Sequence, residues 1–126
     1  MDPLRGDPGK EKHMPYIHTQ TNVSLTPETE RLLTQDLGRA VECLGKSERW
    51  LMLRFEDRCR MAFGGDAREP VCFVGISLFG ECAPERTAEM TREVTRLLNE
   101  RLNVPPERIY VRYLSCGTWG WNGGNF

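Results

Sequence analysis

The apolar run of residues 71–78 (VCFVGISL), near the middle of the chain, most constrains how this sequence can fold. Its length and its content of β-branched and aromatic residues are typical of a strand. Because the side chains are apolar or small at successive positions, both faces of that strand favour burial. A strand of this kind needs a covering layer on each side.

The first half of the chain predicts a strand, a helix and a second strand. The first strand is indicated by residues that alternate with polar neighbours at a period of two: Ile17, Thr19, Thr21 and Val23. Thr26 is placed to cap the helix, Pro27 suits its first turn, and Gly45 is placed to end it. Residues 50–55 form a short apolar run that predicts the second strand.

The second half repeats this order. The strand of residues 71–78 precedes a helix that begins at Pro84 and is ended by residues 103–106 (NVPP). The inner face of this helix carries apolar residues at helical spacing: Met90, Val94, Leu97, Leu98 and Leu102. Residues 108–114 predict the last strand.

Two such units predict an α+β fold, in which two βαβ units form a four-stranded mixed sheet with two helices on one face. The helices then cover one face only, whereas residues 50–55 and 71–78 are apolar on both. A chain of 126 residues has no room for a second covering layer. We therefore expect another copy of the chain to supply it, in an oligomer whose sheets face inward.

Residues 1–13 (MDPLRGDPGKEKH) are rich in proline, glycine and charge, a composition that does not favour an ordered core. We expect a disordered leader there, either native or introduced in cloning, followed by one domain over residues 14–126. The leader also lacks the apolar segment of a secretory signal, which favours a cytoplasmic location or export by an unconventional route.

Composition excludes several classes of partner and site. The net charge of −1 gives no reason to expect a nucleic acid partner, and the apolar runs are too short for membrane insertion. The five cysteines are odd in number and form no C-x-x-C pair, so neither a disulfide framework nor a zinc site is predicted. We expect them to be small buried hydrophobes in a reducing compartment, and we expect no metal or cofactor.

Three stretches taken together resemble a known family. They are residues 14–23 (MPYIHTQTNV), residues 61–70 (MAFGGDAREP), and residues 106–111 (PERIYV) leading to Gly120-Trp121-Asn122 and Phe126. In this order and spacing they are similar to macrophage migration inhibitory factor and its relative D-dopachrome tautomerase, in the tautomerase superfamily. The resemblance implies a homotrimer of βαβ-βαβ subunits whose sheets enclose a central channel, with active sites between neighbouring subunits and no cofactor.

The resemblance implies that Pro15 is the catalytic residue, acting as an N-terminal proline after removal of the preceding methionine. A terminal proline is a secondary amine, and an apolar pocket with a nearby cation disfavours its charged form. Such an amine is a base near neutral pH and can move a proton next to a carbonyl. An internal proline nitrogen is an amide without this basicity, so the chemistry depends on Pro15 being terminal.

Three further residues match substrate-contacting positions of the family. Lys46 matches the pocket lysine that holds a carboxylate, although a lysine after a helix also complements the helix dipole. Tyr110 matches a pocket tyrosine from the adjacent subunit, and it could equally pack at that interface. Phe79 stands where the family has a pocket-floor isoleucine, and without the resemblance it would be assigned to the core.

Two aromatic residues and one arginine complete the expected substrate-binding set. Trp121 and Phe126 match an aromatic pocket wall, although tryptophans among glycines also pack in hairpins. Arg112 stands where the cytokine has a pocket asparagine; pointing inward it would favour an anionic 2-oxo acid, and pointing outward it would be a solvated strand residue. Residues 71–74 (VCFV) also lack the cytokine's C-x-x-C, so its thiol–disulfide activity should be absent.

The resemblance thus implies a keto–enol tautomerase of phenylpyruvate-like or dopachrome-like substrates. Its partners would be a small 2-oxo acid or an aromatic keto/enol compound and two further copies of the chain. The alternative is a cytokine-like protein that binds a cell-surface receptor with little or no catalysis, which retention of residues 1–13 would favour.

Overall fold

The structure is a computed structural model that describes residues 14–125. The expected leader and Phe126 lie outside these residues. The elements are, in chain order, β1 (Tyr16–Thr21), α1 (Pro27–Ala40), β2 (Met52–Glu56), β3 (Cys72–Phe79), α2 (Pro84–Leu102), β4 (Ile109–Cys116), β5 (Gly120–Trp121) and β6 (Gly124–Asn125).

The first four strands form one sheet in the order β2-β1-β3-β4. β1 runs parallel to β2, and β3 runs parallel to β4, so each parallel pair is joined by one of the helices. β1 and β3 lie antiparallel at the centre of the sheet, with Tyr16 opposite Ser77 and Thr21 opposite Cys72. The predicted α+β fold, with two βαβ units in a four-stranded mixed sheet, is confirmed.

The helix ends follow the signals in the sequence. The Thr26 hydroxyl accepts a hydrogen bond from the Thr29 backbone N–H at 3.1 Å, and Pro27 occupies the first turn of α1. The regular helix ends earlier than predicted because residues Val41–Leu44 tighten into a 3₁₀ turn, which Gly45 ends in the left-handed region (φ 74°). Asn103 ends α2 in the same way (φ 57°).

The hydrophobic core lies between the helices and one face of the sheet. β1 and β3 contribute alternate side chains to it: Ile17, Cys72, Val74, Ile76 and Leu78. α1 and the 3₁₀ turn after it contribute Leu33, Leu37, Ala40, Val41 and Leu44, and α2 contributes the predicted inner residues Met90, Val94, Leu97, Leu98 and Leu102. The prediction that both helices cover one face of the sheet is therefore confirmed.

No part of the chain that the structure describes forms a layer on the other face of the sheet. This open face carries the alternate side chains Tyr16, His18, Met52, Arg54, Glu56, Phe73, Phe79, Tyr110, Arg112 and Leu114. Met52, Tyr110 and Leu114 are exposed large hydrophobic residues, at 66%, 60% and 47% exposure. Large apolar side chains left exposed on both edge strands of one sheet face indicate an interaction surface.

Two predicted strands differ from those observed. The first ends at Thr21, because the side chain of Asn22 turns to bind the backbone of Glu69 and Val71 at 3.0 and 2.9 Å. The second begins at Met52, and the prediction that it is apolar on both faces was wrong. Its outward residues include Arg54 and Glu56, which suit an edge strand because charge there discourages pairing with other chains.

A buried carboxylate joins the two helices. Asp36 of α1 is 5% exposed and accepts hydrogen bonds from Arg39 at 2.9 Å and from Arg101 of α2 at 2.8 Å. The hydrogen bond from Arg101 holds the pKa of Asp36 below its usual value, against the opposing effect of burial. The pair links the helix of one βαβ unit to the helix of the other.

We expect Asp36→Asn to lower the free energy of unfolding by about 1–3 kcal/mol at pH 7, because charge-assisted bonds between the helices are lost. Folding lowers the pKa of Asp36, so the ionised carboxylate stabilises the folded protein at pH values above the pKa of the unfolded chain. This stabilisation is lost as the pH falls through the pKa of the folded protein. Urea unfolding from pH 7 to pH 3 should therefore show the difference shrinking below about pH 4.

Glu28→Gln, which removes an exposed ion pair with Arg31 on the same helix, is the matched control and should change stability little. Equal effects of the two substitutions would contradict this role for Asp36.

Candidate active site

Pro15 lies at the start of β1, beside the end of β3. It is buried, and its carbonyl accepts a hydrogen bond from the Met52 N–H at 3.0 Å, which fastens it to the start of β2. Met14 precedes it and is 4% exposed. In the chain as it stands, the Pro15 nitrogen is therefore an amide that cannot act as a base.

Lys46 lies at the same end of the sheet, in the turn between α1 and β2. Gly45 reverses the chain, and the Lys46 N–H closes the turn on the Val41 carbonyl at 3.2 Å. The side chain is 4% exposed, and no carboxylate in residues 14–125 lies within ion-pair distance of it. Burial, with a smaller contribution from the positive charge of Arg86, lowers the pKa of Lys46 to about 8.

Phe79 is the last residue of β3, and it lies on the open face. It is half-buried, pairs with Cys116 of β4, and is followed by Gly80, whose positive φ of 80° turns the chain away. The sequence alone would have placed Phe79 in the core. It instead lies outside the core and at the end of the sheet that carries Pro15.

Trp121 also lies towards this end of the sheet. It belongs to the hairpin of β5 and β6, whose turn residues Asn122 and Gly123 both have positive φ. Its ring meets Trp50 edge to face, with centroids 5.2 Å apart. Trp50 follows Lys46 by four residues, so the hairpin packs against the segment that carries the lysine. Trp121 therefore has both a packing role and a place near the candidate site.

Tyr110 lies far from these residues within one chain. It pairs with Phe73, and Phe79 lies six residues further along β3, about 20 Å at the rise of a strand. The Tyr110 ring is 60% exposed and meets Phe63 at 5.1 Å. A single chain thus cannot bring Tyr110 together with Pro15, Lys46 and Phe79.

Arg112 lies between these two ends, opposite Gly75 of β3. Its guanidinium lies over the Phe73 ring at 5.2 Å, and a Cβ on Gly75 would lie 2.9 Å from one of its nitrogens. Gly75 therefore leaves room for the arginine to lie flat on the open face. Arg112 is exposed on the open face, where apolar side chains lie next to it.

Arg108 has a role that sequence reasoning missed. Its guanidinium donates hydrogen bonds of 2.8–3.2 Å to four backbone carbonyls of the loop between β2 and β3: those of Phe63, Asp66, Glu69 and Pro70. It also lies over the Phe63 ring, which in turn contacts Tyr110. These contacts span 38–45 positions of the chain, so no local pattern around Arg108 could reveal its role.

The cysteines differ from the expectation of buried side chains. Cys72 is buried, whereas Cys43, Cys59, Cys82 and Cys116 are half-buried and form no disulfide among the described residues. The described residues contain no group of metal-ligating side chains, and none of their helices is long and apolar enough to cross a membrane.

Known proteins resemble this chain over nearly all of its described length. The sequence model of the macrophage migration inhibitory factor family matches residues 14–126. The macrophage migration inhibitory factor of Xenopus laevis is 25% identical over 115 residues, which are 90% of this chain and 99% of that protein. The factor of Rattus norvegicus is 24% identical over the same span.

Solved structures agree with the sequence comparison. The crystal structure of Leishmania major MIF2 superposes with a TM-score of 0.85 at 36% identity, covering 90% of this chain and 98% of that one. A homologue from Prochlorococcus marinus superposes with a TM-score of 0.79 at 29% identity, covering 88% and 98%. The chain therefore belongs to the macrophage migration inhibitory factor family.

Proposed function

We propose that this protein is a keto–enol tautomerase of 2-oxo acids such as phenylpyruvate, with Pro15 as the general base when its nitrogen is the chain terminus. The observation that carries the proposal is Lys46, a lysine that is 4% exposed, has no carboxylate of residues 14–125 within ion-pair distance, and lies at the end of the sheet where β1 begins. Burying an unpaired charge costs stability, so a bound anion is the natural partner for it.

The chemistry requires one proton transfer in each direction. The free amine of Pro15 would take a proton from the carbon next to the substrate carbonyl, and the electron pair left behind forms an enolate. A proton returned to the oxygen gives the enol. Pro15 is buried, and it lies at the end of the sheet that carries Lys46. Burial and a nearby positive charge would each lower the pKa of a terminal amine from its ordinary value of about 7.7–8.0.

The complete site would form between copies of the chain. Tyr110 pairs with Phe73, which lies about 20 Å along β3 from Phe79. In this proposal a neighbouring subunit therefore contributes Tyr110, with Arg112 beside it. The exposed apolar side chains of the open face support association through this surface. A homotrimer with the sheets facing a central channel satisfies both requirements, while Trp121 and Phe126 would form an aromatic wall of the pocket.

A second candidate function is binding of a receptor without catalysis, in the manner of a cytokine. The acylated nitrogen of Pro15 favours it, because Met14 is packed at 4% exposure in the chain as it stands and leaves no basic amine. The two candidates share one fold and differ in whether residues 1–14 are removed.

A chain that begins at Pro15 should isomerise phenylpyruvate, and Pro15→Gly should lower kcat/KM by about a hundredfold or more, because the secondary amine is replaced by a weaker base. The measurement is the rate of enol–keto conversion by ultraviolet absorbance. The full chain of 126 residues is the matched control and should be inactive, because its Pro15 nitrogen is an amide. Equal rates for the three proteins would exclude Pro15 as the base.

Leu114→Glu should dissociate the oligomer, because it places a charge among the exposed apolar side chains of the open face. Sedimentation velocity should show a trimer for the wild-type protein and smaller species for the variant. Gln35→Glu, which adds the same charge to the exposed surface of α1, should remain trimeric. A wild-type monomer would contradict the shared site.

Lys46→Met should raise the free energy of unfolding by about 1–2 kcal/mol at pH 7, because folding no longer buries an ammonium. The pKa of Lys46 is about 8 in the folded protein and about 10.4 in the unfolded chain. Between about pH 8 and about pH 10.4 the folded protein therefore binds fewer protons than the unfolded chain. The gain should shrink as the pH rises from 8 to 10.4. Urea unfolding measures it, and exposed Arg92→Met should show no such gain.

A further inference from the structure

A cavity of about 220 Å³ lies between the turn that follows α1 and the beginning of α2. Lys46 lines it on one side, and Glu81, Cys82 and Arg86 line it on the other. It is smaller than the 300–1,000 Å³ typical of a site that encloses a whole drug-sized ligand. Its size instead suits one acidic group and the atoms next to it.

Lys46 faces this cavity without a partner. The residue is 4% exposed, and no carboxylate of residues 14–125 lies within ion-pair distance of its ammonium. Cys82 does not supply a counter-charge, because burial raises the pKa of its thiol and the thiol donates to the Leu44 carbonyl at 3.8 Å.

Arg86 brings a second cation to the same cavity. Its guanidinium lies over Gly45, where a Cβ would be 2.8 Å from Nη1, so the absence of a side chain at Gly45 leaves room for it. No carboxylate of residues 14–125 lies within ion-pair distance of Arg86. The charge of Arg86 acts directly on Lys46 and disfavours its protonated form.

The N-terminus of α2 adds positive potential on this side. The helix is 19 residues long, begins at Pro84, and has no side-chain cap at Ala83. Pro84 has no N–H, and the Arg86 and Thr87 N–H groups donate to the Ala83 carbonyl at 3.0 and 3.2 Å, so this end contributes the positive end of the helix dipole, which attracts anions. Together with the two unpaired cations, it makes the cavity electropositive.

We infer that Arg86 is a second carboxylate-binding residue, which together with Lys46 holds the single carboxylate of a 2-oxo acid in this cavity. Glu81 carries the one negative charge of the lining, so two cations and one carboxylate leave a net charge of +1. This balance matches a monoanion and disfavours dicarboxylates and phosphate esters. The planar guanidinium can donate one hydrogen bond to each of the two carboxylate oxygens. A lysine ammonium alone lacks this two-pronged geometry.

The inference deepens the proposed function and rests on it for the reaction, but the binding itself is tested without catalysis. Pyruvate is the probe, because it carries the 2-oxo acid group and little else. It is titrated into the full chain at pH 7, followed by NMR chemical shifts, with the neutral analogue pyruvamide in parallel. Pro15 is acylated in this chain, so the result does not depend on turnover of phenylpyruvate.

Arg86→Gln should weaken pyruvate binding by about fivefold, and Lys46→Gln by at least as much, because each removes a charge-assisted hydrogen bond. Glu81→Gln should tighten binding. Arg92→Gln, an exposed arginine of the same helix outside the cavity, should leave it unchanged. Pyruvamide should not compete.

An Arg86→Gln protein that binds pyruvate within about twofold of the wild type would overturn the inference, since Lys46 would then act alone. So would equal binding of pyruvamide, or the absence of saturable pyruvate binding by the wild-type chain. A chain beginning at Pro15 that binds pyruvate through both cations but does not isomerise phenylpyruvate would reject the proposed function and keep the two-cation site.

Discussion

The central strand β3 is the constraint on which the rest of this structure depends. It pairs with β1 on one edge and β4 on the other, and its inner side chains Cys72, Val74, Ile76 and Leu78 fill the core beneath both helices. Its outer side chains lie on the open face of the sheet. The same strand therefore joins the two βαβ units and presents the surface through which copies of the chain would associate. One face of β3 thus stabilises the fold, and its other face would stabilise the oligomer.

Strand direction decides which chemical groups can meet. Because β1 is antiparallel to β3, the start of β1 lies beside the end of β3, and Pro15 comes to the end that carries Phe79. Because β2 is parallel to β1, the turn that precedes it brings Lys46 to this end as well. Because β4 is parallel to β3, Tyr110 at its start lies at the opposite end. The proposed site would therefore need residues from two chains, because the sheet topology places Tyr110 and Pro15 at opposite ends of one subunit.

Local signals in the sequence predicted much of the fold. Thr26, Gly45 and Pro84 each act through neighbours in the chain, so their capping and turning roles could be recognised without the tertiary structure. The bond between Asp36 and Arg101 spans 65 positions and depends on how the helices pack, which no local pattern encodes. The open position of Arg112 and the contact of Trp121 with Trp50 likewise depend on strands and turns brought together only by folding.

Arg108 holds the loop before β3 in one conformation by satisfying four of its carbonyl groups, and the Phe63 ring held there supports Tyr110. Tyr110 is therefore ordered in the isolated subunit although most of its surface is exposed. A neighbouring copy would meet a ring whose rotational freedom is already restricted, so less conformational entropy is lost when the subunits join. Arg108, in the 3₁₀ turn just before β4, would thus favour association before any interface has formed.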